Sequence, residues 1–132
     1  MKKKIKQLTD GKECDIVIGS PPCQGFSMIT RHRYEDDENS VNEDMEEKNH
    51  LFLEFIRVVN ILKPKVVIME NVKGILSMRT KFGELILHNI IMGFEDIGYK
   101  IKYKIIKCEE FGLPQVRHRA IILATNDEDI YN

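Results

Sequence analysis

The stretch Cys14 to Ser27, CDIVIGSPPCQGFS, decides how this chain is read. Its first half is short, apolar and β-branched through Ile16, Val17 and Ile18, and it ends at Gly19, the pattern of a buried strand that gives way to a loop at its carboxyl end. In that loop, Pro21 and Pro22 each lock a backbone angle ahead of Cys23, while Gly25 permits angles behind it that other residues avoid. The sulfur can therefore be held in one direction at a strand end. A thiol presented this way suits a nucleophile, which acts as the thiolate that a nearby helix start or cation favours. For a lone Pro-Cys pair, a structural cysteine in a tight turn is the competing reading.

Working outward, residues 31–49 carry Glu35, Asp36, Asp37, Glu38, Glu43, Asp44, Glu46 and Glu47, with Val41 and Met45 as isolated apolar residues. Such a composition cannot bury itself and predicts a mobile acidic loop over 31–49. The next segment, HLFLEFIRVVNIL, places Leu51, Phe55, Val59 and Leu62 on one helical stripe, and Pro64 stops it. KVVIMENV, Lys65 to Val72, reads as a second buried strand with the polar pair Glu70-Asn71 where it leaves the core. A second helix is expected from about Lys81 to Ile97, capped by Thr80 and ended by Gly98. YKIKYKI then alternates, with Tyr99, Ile101, Tyr103 and Ile105 facing inward and Lys100, Lys102 and Lys104 outward, and AIILAT after the EEFGLPQVRHR loop is a last strand. The order strand, helix, strand, helix, strand, strand is that of an α/β fold in which three strands fit parallel crossovers and the last two form an antiparallel edge pair. In such sheets function collects outside the carboxyl ends of the parallel strands, where Cys23 and Glu70 both fall.

At 132 residues and 42% hydrophobic content the chain amounts to a single domain with a modest core. Its net charge of -1, from 20 basic and 21 acidic residues, excludes nucleic-acid binding by bulk charge, so any such contact must be local. No apolar run reaches the roughly 20 residues that span a bilayer, and the basic start lacks a signal peptide's apolar centre, so a cytoplasmic protein without membrane partners is expected. Cys14, Cys23 and Cys108 form no CxxC pattern, and His32, His50 and His88 share no ligand spacing, so neither a disulfide framework nor a metal is expected. His118 is expected to face solvent.

Three strings together change the reading of each. PPCQGFS at Pro21 to Ser27, ENV at Glu70 to Val72 and QVRHR at Gln115 to Arg119 resemble the fourth, sixth and eighth motifs of the cytosine-5 DNA methyltransferase family, in the family's order. NHLFLEFIRVV between them resembles the fifth, and the resemblance runs from Asp15 to Thr125. It implies a partial Rossmann-like S-adenosylmethionine-dependent methyltransferase fold, and transfer of a methyl group from S-adenosylmethionine to carbon 5 of a cytosine flipped out of duplex DNA. By the same resemblance, Cys23 adds covalently to carbon 6 of the base. Glu70 serves ring nitrogen 3 and the exocyclic amine, Arg117 contacts the base region, and Arg119 braces the site from the other side. Gln24, Ser27, Asn71 and Gln115 surround the substrate, while Pro22 and Leu51 border the cofactor. The acidic stretch matches the family's mobile active-site loop, in which Arg31 and Arg33 would meet phosphate. Its density of carboxylates departs from what a loop closing on DNA calls for.

The family's glycine-containing first motif, which holds S-adenosylmethionine, and its target-recognition region have no counterpart in the sequence. The cofactor pocket is therefore expected to be incomplete, and the unpaired edge of the Asp15 to Ile18 strand to invite a complementary methyltransferase chain or self-association. A bacterial restriction-modification setting, cytoplasmic or nucleoid-associated, is the expected context. The alternatives are an RNA cytosine-5 methyltransferase, one branch of which shares PPCQ but differs in the eighth motif, and a non-catalytic interaction module using the acidic loop.

Overall fold

A computed structural model describes residues 2–22, 41–79 and 83–132, with the backbone alone for 41–50. Its elements are α1 (Lys2–Leu8), β1 (Ile16–Gly19), α2 (Val41–Leu62), β2 (Val66–Val72), α3 (Ile86–Glu95), β3 (Lys100–Lys107), β4 (His118–Thr125) and α4 (Glu128–Tyr131), with 3-10 turns at Lys73–Leu76 and Cys108–Phe111. The strands form one sheet in the order β1-β2-β4-β3, with β1 and β2 parallel and β4 antiparallel to both β2 and β3. The α/β class and the antiparallel edge pair are as expected, and β3 runs in the direction of β1 and β2. Within the pair, β4 takes the inner place. Its composition explains why: Ala120, Ile122, Ala124 and Thr125 are buried, whereas β3 exposes a lysine at alternate positions, which suits an edge.

One face of the sheet is covered. Val67 and Met69 of β2 and Ala120, Ile122 and Ala124 of β4 pack in one core with Ile56 and Val59 of α2 and Ile86, Ile90 and Phe94 of α3. Phe94 sits edge-on to Phe52, Phe55 and Tyr99, and the buried Tyr99 hydroxyl donates to the Pro64 carbonyl at 2.5 Å. Gly19 closes β1 against this layer so tightly that a Cβ there would lie 2.3 Å from a Phe55 ring carbon. Gly98 ends α3 as expected: at φ 89° it lets its own N–H reach the Glu95 carbonyl and the Tyr99 N–H reach that of Phe94, satisfying two open carbonyls. The opposite face is open, with Ile16 54%, Ile18 72% and Leu123 45% exposed.

Several boundaries differ from expectation. Helix α2 starts at Val41, so residues 41–49 of the expected loop are helical, consistent with a run rich in Glu, Met and Lys, which are good helix formers. Residues 31–40 lie outside the described residues. Helix α3 starts at Ile86 rather than near Lys81, because Arg79 and Leu85 pair as an antiparallel bridge, the Ile86 N–H bonds the Met78 carbonyl, and Gly83 has a positive φ. Thr80, the expected cap, lies outside the described residues. Tyr103 was expected inside but is largely exposed: it has the right parity, opposite Ile122, yet sits on the edge strand. Helices α1 and α4 were not anticipated, although Asp127 caps α4 in the ordinary way, its carboxylate accepting from the Asp129 and Ile130 N–H groups.

Candidate active site

Backbone direction brings the site together. Parallel β1 and β2 end side by side, with Gly19 opposite Met69, so the loop leaving β1 rises next to Glu70 and Asn71. Antiparallel β4 enters from the other side of β2, placing Asn71 opposite Ala120 and Val72 opposite Arg119. The result is an open cleft of about 250 Å³ whose walls are Ser20, Pro21 and Pro22 from the loop, Glu70 to Val72 from β2, and Arg117 and Arg119 from the β4 approach.

Glu70 is the hub of the cleft. The Arg119 Nε lies 2.9 Å from its Oε1 in an ion pair, and the Ser20 hydroxyl donates to its Oε2 at 2.5 Å. Asn71, almost fully buried, donates from Nδ2 to the Pro21 carbonyl at 3.1 Å and accepts the Val72 N–H on Oδ1 at 2.9 Å. The loop that leads to Cys23 is thus bonded to the end of β2 at two successive residues. Arg117 lines the cleft and has no ion pair among the described residues, which leaves a cation facing the space.

The arginine-bearing segment is itself clamped. Glu109, in the 3-10 turn, accepts the Arg117 N–H at 3.2 Å and contacts the His118 Nε2 at 2.7 Å, while the Cys108 N–H bonds the Arg117 carbonyl at 2.9 Å. Its own backbone N–H and the His118 ring hold the Glu109 carboxyl below the usual range.

Of the residues named from sequence, Glu70, Asn71, Pro22, Arg117 and Arg119 share this cleft. Cys23, Gln24 and Ser27 lie outside the described residues. Gln115 and Leu51 do not line the cleft: Gln115 is an exposed turn residue whose N–H bonds the Leu113 carbonyl, and Leu51 is 46% exposed on α2. Two expectations are corrected. Arg117 and Arg119 do not divide between opposite sides, because residues two apart in extended backbone point the same way, and both line the cleft. His118 does not simply face solvent, being half-buried against Glu109. Ser20 and Glu109 were missed. The only sequence signal for Ser20 was its place beside the proline pair, and Glu109 had none.

Of the two positions expected to border a cofactor, Pro22 lines the cleft and Leu51 does not. Among the described residues, no three His, Cys, Asp or Glu side chains converge as metal ligands would, and no helix is long and apolar enough to cross a membrane.

A family model for C-5 cytosine-specific DNA methylase matches residues 1–132. The chain belongs to the C-5 cytosine-specific DNA methylase family. Its relatives include the type II methyltransferase M1.HphI of Haemophilus parahaemolyticus, 38% identical over 125 residues covering 88% of this chain and 28% of that protein. Another is M.DdeI of Desulfomicrobium norvegicum, 37% identical over 116 residues covering 88% and 26%. The solved Schizosaccharomyces pombe Dnmt2 methyltransferase shares the fold at a TM-score of 0.58 and 21% identity, over 97% of this chain and 33% of that one. The Entamoeba histolytica methyltransferase EhMeth does so at 0.60 and 24%, over 96% and 35%. The chain spans about a quarter to a third of the length of the relatives it matches.

Proposed function

We propose that this chain carries the base-modifying portion of a DNA cytosine-5 methyltransferase and works with a complementary portion that holds the methyl donor and reads the target sequence. The supporting observation is that Glu70 and, 47 and 49 residues further along the chain, Arg117 and Arg119 open onto one cleft together with the two prolines preceding Cys23. S-adenosylmethionine, when bound, supplies an electrophilic methyl group. The Cys23 thiolate adds to carbon 6 of the flipped cytosine, and the electron pair displaced into the ring makes carbon 5 nucleophilic. Glu70 hydrogen-bonds ring nitrogen 3 and the exocyclic amine, favouring that charge shift. Arg117 faces the base region and Arg119 holds the Glu70 carboxylate. After methylation, loss of the carbon-5 proton and expulsion of the Cys23 sulfur restore the ring.

The complementary portion has a landing surface in the open sheet face and in the edge of β1, which no strand pairs among the described residues, the same features that favour self-association when the chain is alone. The test is mass spectrometry of the chain with S-adenosylmethionine and duplex DNA or RNA bearing 5-fluorocytosine, with and without a fragment carrying the first motifs and the target-recognition region of a relative. A covalent DNA adduct that Cys23→Ser abolishes supports the reading. An adduct formed only on 5-fluorocytosine RNA moves it to an RNA methyltransferase, and no adduct under either condition overturns it in favour of an interaction module.

A further inference from the structure

We propose that Ser20 is the positioning residue for the Glu70 carboxyl, holding it toward the cleft and remaining bonded to it through a change in its protonation. This inference rests on the assignment of Glu70 to the base. Glu70 is a long side chain near a strand end and about one-third exposed, so the direction of its two oxygens depends on the groups that bond them. Two donors from different elements do: Arg119 of β4 on Oε1 at 2.9 Å, and Ser20 of the β1 loop on Oε2 at 2.5 Å. Ser20 is in turn fixed, because the next residue, Pro21, gives its carbonyl to the Asn71 amide at 3.1 Å. Ser20–Glu70 and Pro21–Asn71 are adjacent rungs, each joining positions 50 apart in sequence.

The chemistry of the two partners differs. A guanidinium can only donate, so Arg119 can serve the carboxylate but has nothing to offer an acid proton. A hydroxyl donates and accepts, so Ser20 can donate to Oε2 of the carboxylate and, after rotation about one bond, accept the proton of the carboxylic acid. Hydrogen bonding at ring nitrogen 3 requires Glu70 to carry or share a proton at some stage of the reaction. Among the described residues bonded to the Glu70 carboxyl, Ser20 can donate to Oε2 when the group is ionised and accept from it when the acid proton sits on Oε2 rather than on the oxygen facing the base, whereas Arg119 can only donate. The same bond ties the carboxyl to the Ser20–Pro22 segment, which directly precedes Cys23 in the sequence.

The test compares wild type, Ser20→Ala and Ser20→Thr as full chains with isotopic labels, reading the Glu70 side-chain rotamer from three-bond scalar couplings. Wild type and Ser20→Thr are expected to show a single rotamer, and Ser20→Ala an average over several. A single unchanged rotamer in Ser20→Ala, or averaging in Ser20→Thr, overturns the proposal. Ser20 is exposed, so a failure to fold is not expected, and backbone amide shifts that match away from the cleft verify this. With the complementing fragment present, Ser20→Ala should slow adduct formation about tenfold at unchanged half-saturating DNA concentration, and Ser20→Thr should restore it. Ser20→Ala should have no further effect in a Glu70→Gln background. If wild type gives no adduct, the methyltransfer reading fails while the rotamer series still decides the role of Ser20.

Discussion

On the side of the sheet facing α2 and α3, Val67, Met69, Ala120, Ile122 and Ala124 are buried, whereas on the other side Ile16, Ile18 and Leu123 meet water. Yet the residues themselves are much alike. Strands β1, β2 and β4 are nearly continuous apolar runs rather than alternating ones, which is how strands covered on both faces are written. Within the described residues the long helices cover one face only, and the other carries just the short α4 against β3 and β4. β3, which does alternate, shows the contrast inside the same sheet: its lysines are satisfied by solvent and by α4, where Lys100 pairs with Glu128 at 2.5 Å and Lys102 with the Tyr131 carbonyl. Apolar residues without a cover and lysines without need of one thus mark different kinds of exposure, and only the first calls for a partner.

The sharpest way to break this comparison is to truncate matched positions. Phe94→Ala, in the centre of the covered face, should lower stability by about 3–5 kcal/mol in denaturant unfolding, while Ile18→Thr on the open face should change it by about 0.5 kcal/mol or less. Equal losses would mean that the open face is covered in solution. Next in size, Gly19→Ala should cost about 1–3 kcal/mol, because its methyl would fall on the Phe55 ring. The same change made together with Phe55→Leu should cost less, which separates steric overlap from backbone strain. On the open face, Ile18→Lys should weaken self-association about tenfold, roughly 1.4 kcal/mol, in sedimentation at micromolar concentration. Stability should barely move. The smallest effect is at the clamp on the arginine segment. The Glu109 carboxyl is held below its ordinary value of 4.5, so it binds a proton more weakly folded than unfolded. Its contribution is complete above pH 4.5 and is lost as pH falls through the lower folded value. Glu109→Gln should flatten that acid limb of the stability profile, removing the small contribution at neutral pH and leaving stability below the folded value nearly unchanged.

What could be read in the sequence was what local pattern encodes. Ile16 to Ile18, Val66 to Met69 and Ala120 to Ala124 are recognisable as strands because β-branched and apolar residues cluster between punctuating Gly, Pro and polar residues, and Gly98 marks a helix end because only the left-handed region closes it. The start of α2 is hidden in the sequence because solvated acidic residues carry no burial signal, although a helix can grow outward from its packed end at Ile56 and Val59. The start of α3 depended on the Arg79–Leu85 bridge, a pairing with no periodic signature. In the cleft, Glu70, Arg117 and Arg119 were legible through motif resemblance. The Ser20–Glu70 bond was not, since it spans 50 residues and depends on two parallel strands ending level. The Glu109–His118 contact spans nine residues and is made by a turn that Gly112 closes at φ 87°.

The inner place of β4 has a consequence for how the sheet is built during synthesis. β4 pairs from Arg119 to Thr125 with β2 on one side and along its whole length with β3 on the other, and both precede it in the chain. As the polypeptide emerges from a ribosome, β1 can join β2 early, but β3 can only wait at a distance, with a vacancy one strand wide between it and its eventual sheet. Until Thr125 is free of the exit tunnel, β2 offers the vacant slot a long apolar edge, and any extended segment from another nascent chain can enter it. Slow, non-local closure of this kind exposes the chain to misassembly before it gains any of the sheet's cooperativity.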